Sequence, residues 1–218
     1  MYKRLIQKLA FPIGFVVVIW LIHILQFFTS IDLRTLGVYP RVIDGLPGIL
    51  TYPLIHGSWE HLFGNSVSFL ILSAILFLFY KRIALRCFIL LYIFSGLGIW
   101  IIAPAGSYHI GASGIVYGMV SLVFWSGVFR RNIKSIVLAL IILMMYAGYF
   151  AGIIPGKEGV SWQGHLMGAL VGIALAWIYK KDLEDDEEPE VIEEEPEERD
   201  YFLSRDVFEK TMAERRTE

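Results

Sequence analysis

The chain has 218 residues, of which 56% are hydrophobic and 18% are charged, and its mean hydropathy is +0.59. A soluble domain carries about a quarter charged residues, so this composition excludes an ordinary soluble protein and indicates an integral membrane protein. The net charge of −2 hides two opposite regions, because residues 1–181 carry a net +10 and residues 182–218 a net −12.

Six apolar stretches are long enough to cross the hydrocarbon core of a bilayer, which takes roughly 20 helical residues. In chain order they lie near residues 11–29, 60–80, 84–103, 113–129, 135–154 and 163–180. Lys and Arg are concentrated before the first stretch, after the second, after the fourth and after the sixth. The positive-inside rule therefore predicts an all-α protein with six transmembrane helices and both termini in the cytoplasm.

The charge reversal at residue 182 predicts two regions, a membrane domain over residues 1–181 and an acidic tail over residues 182–218. Like-charged runs cannot collapse into a core, so we expect the tail to be largely disordered. Its last 20 residues carry loosely spaced apolar side chains that predict a short amphipathic helix.

The second, fourth and sixth stretches have polar residues at the ends that are predicted to face outside. His61 and Asn65 are four residues apart and share one helical face, Ser113 begins the fourth stretch, and His165 begins the sixth. Since all three stretches enter the membrane from the same side, these groups are expected at one depth. A serine, a histidine and several hydrogen-bond donors there indicate nucleophilic catalysis with an oxyanion hole.

Glycines at four-residue spacing predict how two of these helices meet. Gly164, Gly168 and Gly172 form one groove, and the partner helix is expected to be the fourth, through Gly114 and Gly118. Such close contact would bring the serine and histidine within hydrogen-bond distance. Tyr117 lies one turn below the serine and is expected to pack on the histidine ring. No carboxylate is well placed for a third member, so a dyad is predicted.

On these residues the chain resembles the rhomboid intramembrane serine proteases, over roughly residues 50–180. Three motifs carry the resemblance: Gly111-Ala112-Ser113-Gly114 with Tyr117; His56 with His61-Leu62-Phe63-Gly64-Asn65; and the run from Gly164-His165 through Gly168 to Gly172. The resemblance implies a six-helix membrane bundle that needs neither cofactor nor metal. It also implies a bacterial plasma-membrane location and a transmembrane helix of another membrane protein as substrate, without nucleic acid.

The resemblance further implies a role for each motif residue. Ser113 is expected to be the nucleophile and His165 the general base and then acid, while His61, Asn65 and the Ser113 amide form the oxyanion hole. Tyr117 is expected to support the histidine, and His56 to be a structural hydrogen-bonding residue. Supporting backbone roles fall to Gly111, Gly114 and Gly168.

Other interpretations remain for the same residues. A non-catalytic rhomboid-like protein that binds membrane helices is the main alternative, and its serine and histidine would be an N-cap and an interhelical hydrogen bonder. A membrane metalloprotease would need His-Glu-x-x-His, which the chain lacks. A channel or transporter would need a charged midplane or broken helices in two corresponding halves, and neither is visible in the sequence.

Two further expectations concern the outer loops and the bilayer side of the site. His109 precedes the serine within a loop, so we expect it to be solvated. Bulky residues at the outer ends of the second and fifth stretches predict a lateral gate, formed by Leu62 and Phe63 against Tyr146, Tyr149 and Phe150. Loop 155–162 is expected to cover the site.

Overall fold

The computed structural model describes residues 2–156, 159–182 and 184. The helices are α1 Tyr2–Thr29, the short α2 Gly48–Thr51, α3 Trp59–Phe79, α4 Ala84–Ile102, α5 Ser113–Arg130, α6 Ile133–Tyr146 and α7 Trp162–Ile178. Short 3-10 turns cover Leu33–Leu36, Ile43–Gly45, Tyr52–Leu54 and Ala147–Ile153. Among the described residues the only β-pairing is an isolated bridge between Val38 and His109. The prediction of an all-α bundle is confirmed, whereas nearly all of the predicted tail lies outside the described residues.

Within the described residues, five segments are long and apolar enough to cross a membrane: Leu9–Thr29, Trp59–Phe79, Ala84–Ile102, Ser113–Arg130 and Ile133–Ile153. The protein is therefore an integral, multi-pass membrane protein. α7 is apolar but has only 17 residues, which at 1.5 Å per residue is roughly 25 Å of helix. A sixth crossing and the cytoplasmic location of the termini stay predictions.

The fifth apolar stretch, which the sequence predicted as a span near residues 135–154, consists of an α-helix followed by a 3-10 turn. α6 ends at Tyr146, and the chain continues as the 3-10 turn Ala147–Ile153. A 3-10 turn is narrower than an α-helix and directs its carbonyls differently. This change of geometry turns the Gly152 carbonyl toward α7.

α5 occupies the centre of the bundle and contacts α3, α4, α6 and α7. Its side chains Ile115, Val116, Met119 and Val123 are fully buried. α1 lies at the edge and packs mainly on α3, where the Trp20 indole N–H donates a 2.9 Å hydrogen bond to Ser66 Oγ. The central helix is thus the one that begins with Ser113.

We call the end of the bundle at which α3, α5 and α7 begin the outer end, following the charge pattern. There the loop after α1 is fastened to the loop before α5, because Val38 and His109 exchange backbone hydrogen bonds of 3.0 and 2.9 Å. The Gly111 N–H also donates to the Tyr52 carbonyl at 2.8 Å. These contacts fix the backbone that leads into Ser113.

Candidate active site

Three helices begin close together at the outer end and position the polar residues. Ser58 caps α3, because its hydroxyl accepts the His61 N–H at 3.2 Å, and Ser161 caps α7 by accepting the Gly164 N–H at 3.3 Å. α5 has no side-chain cap, and Gly111 leads into it with a φ of +101°. That left-handed conformation favours glycine.

The glycines predicted to join the fourth and sixth stretches lie in direct contact. A Cβ on Gly168 would overlap the Gly114 carbonyl, and one on Gly172 would overlap the Gly118 carbonyl. In the other direction, a Cβ on Gly114 would lie 3.1 Å from the Gly164 oxygen. The α5 and α7 backbones therefore touch along this face, which we call the glycine seam. No larger residue fits without separating the helices.

At the outer end of the seam, Ser113 Oγ lies 2.9 Å from His165 Nε2. The other ring nitrogen, Nδ1, lies 2.8 Å from the Gly152 carbonyl oxygen. A carbonyl can only accept, so Nδ1 carries the proton of the neutral ring and Nε2 is left to accept the Ser113 hydroxyl. This is the tautomer that a general base for Ser113 requires.

Tyr117 holds the plane of the histidine ring. The two rings are stacked with centroids 4.0 Å apart and planes 7° apart. Gly152 is packed against the same tyrosine, since a Cβ there would overlap the Tyr117 hydroxyl. The histidine is 8% exposed and is thus held by a carbonyl, a hydroxyl and a ring face.

His61 and Asn65 lie beside the backbone that precedes Ser113. A Cβ on Gly111 would overlap the His61 ring and lie 3.5 Å from Asn65 Nδ2. Asn65 Nδ2 is buried and has no hydrogen-bond partner within the described part of the chain. Unpaired buried donors are costly, so a donor kept free beside the backbone that leads into Ser113 is suited to an acceptor that arrives with a ligand.

His56 contacts the backbone that leads into Ser113 at Ala112. It is fully buried, and its Nε2 lies 3.5 Å from the Ala112 N–H, a long hydrogen bond. Burial, with a smaller contribution from nearby His61, lowers the pKa of His56 to about 3. The imidazole is therefore neutral and able to accept this hydrogen bond at physiological pH.

A cavity of about 850 Å³ opens over these groups. Its polar walls come from the starts of α3, α5 and α7 and from the outer loops, and they include His61, Asn65, Ser113, Ser161 and His165. Gly159 and Val160 of the predicted covering loop also line it. Among the described residues, no group of three His, Cys, Asp or Glu side chains is arranged to hold a metal ion.

The expectation that His109 is solvated is wrong. The residue is 8% exposed, its backbone pairs with Val38, and its Nδ1 lies 2.6 Å from Ser161 Oγ. Burial lowers the pKa of His109. The loop that carries His109 packs between the α1–α3 segment and the start of α7. Because these contacts join residues far apart in sequence, the position of His109 in a loop gave no sign of its burial.

The contact between the fifth stretch and α3 differs from the predicted arrangement of bulky residues. Leu62 is fully buried, and Phe63 is 61% exposed. Tyr149 instead reaches Ser68, two turns after His61, and their hydroxyls are 2.7 Å apart. A polar contact thus joins the 3-10 turn to α3.

Sequence reasoning missed three groups: the carbonyls of Gly152 and Ser161, which contact His165, and the Ser68 hydroxyl, which contacts Tyr149. Ser161 directly precedes an apolar stretch, a typical N-cap signal that was available. Ser68 shares the helical face of His61 and Asn65, seven and three residues away. Gly152 acts through its carbonyl, which every residue type has, so its identity carried no signal.

Comparison with known proteins gives consistent results. The family model described as Rhomboid domain matches residues 45–182. An uncharacterized protein of Mycobacterium tuberculosis is 34% identical over 172 residues, which cover 75% of this chain and 72% of the relative. The relative named Rhomboid-like protein 11, chloroplastic, of Arabidopsis thaliana is 27% identical over 148 residues, covering 61% and 52%. The matched domain contains all three motifs, and the chain belongs to the rhomboid family of membrane proteins.

Proposed function

We propose that this protein is an intramembrane serine endopeptidase that cleaves transmembrane helices of other membrane proteins near their outer ends. The observation that carries the proposal is the 2.9 Å contact between Ser113 Oγ and His165 Nε2, in the tautomer fixed by the Gly152 carbonyl. A capping serine or an interhelical histidine would not need this pairing within a cavity that His61 and Asn65 also line.

Acylation begins when Ser113 Oγ attacks the scissile carbonyl carbon and its proton passes to His165 Nε2. The resulting imidazolium keeps its Nδ1–H on the Gly152 oxygen. Collapse of the tetrahedral intermediate breaks the C–N bond, and Nε2 returns the proton to the leaving amine. A water molecule then attacks the acyl-enzyme with His165 again as base, which releases the carboxylate and restores the hydroxyl.

The negative charge of the intermediate needs donors that are already oriented. The Ser113 N–H lies at the start of α5, where backbone N–H groups have no partner within the helix. His61 and the unpaired Asn65 amide provide the other donors beside Gly111. Removing one oxyanion donor typically costs about 10² to 10³ in kcat.

No carboxylate performs the third role of a catalytic triad in this proposal. The Gly152 carbonyl orients the ring, and the stacked Tyr117 fixes its plane. A carbonyl dipole stabilises the imidazolium less than a full charge does, so we expect slow turnover compared with soluble triad proteases.

The substrate class follows from the location of the dyad. Ser113 and His165 lie in the first turns of α5 and α7, and residues of the outer loops line the cavity above them. A helix entering from the bilayer must unwind there to expose a carbonyl. Helix-destabilising residues near the outer end of the substrate are therefore expected to favour cleavage.

Labelling of the detergent-solubilised protein with a fluorophosphonate probe tests the proposal. Wild type is expected to be labelled, and Ser113→Ala and His165→Ala are not. Wild type in proteoliposomes should also cut some members of a panel of single-span substrates. Persistent labelling of Ser113→Ala contradicts the proposal. A well-folded wild type that neither labels nor cuts, yet captures membrane helices, favours the non-catalytic alternative.

A further inference from the structure

A second serine–histidine contact lies one turn outside the first. His109 Nδ1 is 2.6 Å from Ser161 Oγ, and the two residues are 52 positions apart, as are Ser113 and His165. His109 precedes Ser113 by four residues, and Ser161 precedes His165 by four. The two contacts therefore join the same two segments of chain, with the serine and the histidine exchanged. We call the His109–Ser161 contact the outer rung.

The His109 side of the rung is firmly held. Its N–H and carbonyl both pair with Val38, which is itself fully buried, and only 8% of the residue is exposed. Buried side chains with paired backbone cannot move without breaking several contacts. His109 thus provides a fixed point at the loop that leads into α5.

The Ser161 side is coupled to the first turn of α7. The Ser161 hydroxyl accepts the Gly164 N–H, and its carbonyl accepts the His165 N–H at 3.2 Å. With one lone pair used by Gly164, the hydroxyl keeps its proton and a second lone pair, so it can pair with His109 Nδ1 in either tautomer of the ring. A shift of Ser161 would consequently move the backbone of His165.

The dyad lies between two different constraints. On the inner side the glycine seam fixes the distance between the helices, beginning with the contact of Gly114 and Gly164. On the outer side the two helices extend no further, because α5 and α7 both begin there, and first helical turns fray when nothing holds them. The outer rung is the side-chain contact that joins the two segments there.

We propose that His109 and Ser161 are positioning residues, which set the separation of Ser113 Oγ and His165 Nε2 by holding the start of α7 against the loop before α5. The inference rests on the proposed protease function for its kinetic consequence only. Its structural consequence, a more mobile first turn of α7 when the rung is absent, does not depend on catalysis.

The kinetic test compares His109→Ala with His109→Asn on a cleavable transmembrane substrate. Loss of the rung is expected to lower kcat about tenfold to a hundredfold, because small misplacements of reacting groups have effects of that size, with little change in KM. The Asn side-chain amide can accept from or donate to the Ser161 hydroxyl and is expected to restore most of kcat. Unchanged kcat in a folded His109→Ala protein overturns the proposal.

Thr51→Val is the matched control. The Thr51 hydroxyl donates to the Leu36 carbonyl, and both residues lie in the segment between α1 and α3. Thr51 does not contact His109 or Ser161. This variant is expected to lose stability without losing kcat. If Thr51→Val and His109→Ala lose kcat in proportion to their loss of stability, the rung is merely structural and the proposal is wrong.

A double-mutant cycle and hydrogen exchange complete the test. His109→Ala with Ser161→Ala is expected to fall no further in kcat than the worse single variant, and additive losses contradict the rung. In a Ser113→Ala background, His109→Ala should speed amide exchange of Gly164 and His165, whereas Thr51→Val should not. If wild type cuts nothing, the proposed function fails. The exchange result alone then decides whether the outer rung holds the first turn of α7.

Discussion

Helix α5, which forms the glycine seam with α7, differs from the lipid-facing helices α1 and α6 in both burial and apolar character. In α5, 61% of the apolar stretch is buried in the protein, against 17% for Leu9–Thr29 and 22% for Ile133–Ile153. Yet α5 is the least apolar of the five candidate spans. Lipid tails are as apolar as leucine, so burying leucine between helices gains little over lipid contact. In this protein the least apolar span is the most deeply buried one, and it meets α7 through small residues of the seam as well as through apolar side chains.

The candidate chemistry lies on the seam side of this division. Ser113 begins the helix of the seam, and His165 lies between two of its glycines. The lipid-facing surface of α6 has side chains such as Met144, which is 85% exposed, and none of the groups of the dyad. Close backbone contact is what allows two short side chains from different helices to meet.

One methyl group placed in each region is expected to produce the largest contrast. Gly168→Ala puts a Cβ onto the Gly114 carbonyl, whereas Gly14→Ala in α1 meets nothing within 4 Å. We expect Gly168→Ala to destabilise the protein by about 3 kcal/mol and to abolish cleavage. Gly14→Ala should be neutral or stabilise by up to about 1 kcal/mol, because alanine favours helix.

Denaturant titration in mixed micelles, with cleavage measured in parallel, compares these two variants. If Gly168→Ala were as stable as wild type, the seam would not be a close backbone contact. The division between the two regions would then fail.

The second expected effect concerns the ring that supports His165. Tyr117→Leu removes the stack and is expected to lower kcat about tenfold to a hundredfold, since the imidazole is no longer held in plane. Tyr117→Phe keeps the ring and should stay within a few-fold of wild type. Steady-state kinetics of both variants decide between ring stacking and the hydroxyl as the important feature. Equal losses in the two variants would assign the role to the hydroxyl.

The third prediction concerns the pH dependence of stability, to which a buried polar group such as His56 contributes and apolar lipid-facing side chains do not. The pKa of His56 is about 3 in the fold and about 6.5 when unfolded, so below pH 6.5 only the unfolded state takes up this proton. The contribution of His56 to the free energy of unfolding is fully present above pH 6.5 and decreases as the pH falls toward 3. At pH 5 the loss from this residue is about 2 kcal/mol.

His56→Asn removes this titration and serves as the comparison. Between pH 7.5 and pH 5, the variant should lose about 2 kcal/mol less stability than wild type in matched micelles. Parallel curves for the two proteins would show that folding does not lower the pKa of His56.

The smallest expected effect lies where the two regions meet. Tyr149→Phe removes the hydroxyl that contacts Ser68 but keeps the ring. If entry between the 3-10 turn and α3 limits turnover, losing one hydrogen bond should raise turnover on the order of threefold. Met144→Leu, on the lipid-facing side of the same segment, should leave turnover unchanged. Lower turnover of folded Tyr149→Phe would count against a gate at this contact.

Much of the site was accessible from sequence because it is local. The four-residue spacings place His61 with Asn65, and Ser113 with Tyr117, on single helical faces without any knowledge of the bundle. The glycine spacing also indicated which two helices meet. The sequence did not reveal the Gly152 carbonyl as a partner of His165, because that contact depends on the direction of the backbone. It did not reveal the burial of His109 either.

The sequence by itself determined the membrane class, the helical stretches, the three motifs and the pairing of α5 with α7, because charge, apolar length and residue spacing are one-dimensional properties. Only the tertiary structure decided that the Gly152 carbonyl holds His165, that Tyr149 meets Ser68, and that His109 is buried against Ser161. The physical reason is that these contacts depend on where a helix tightens into a 3-10 turn and how loops fold over the bundle. Packing of the whole chain sets both.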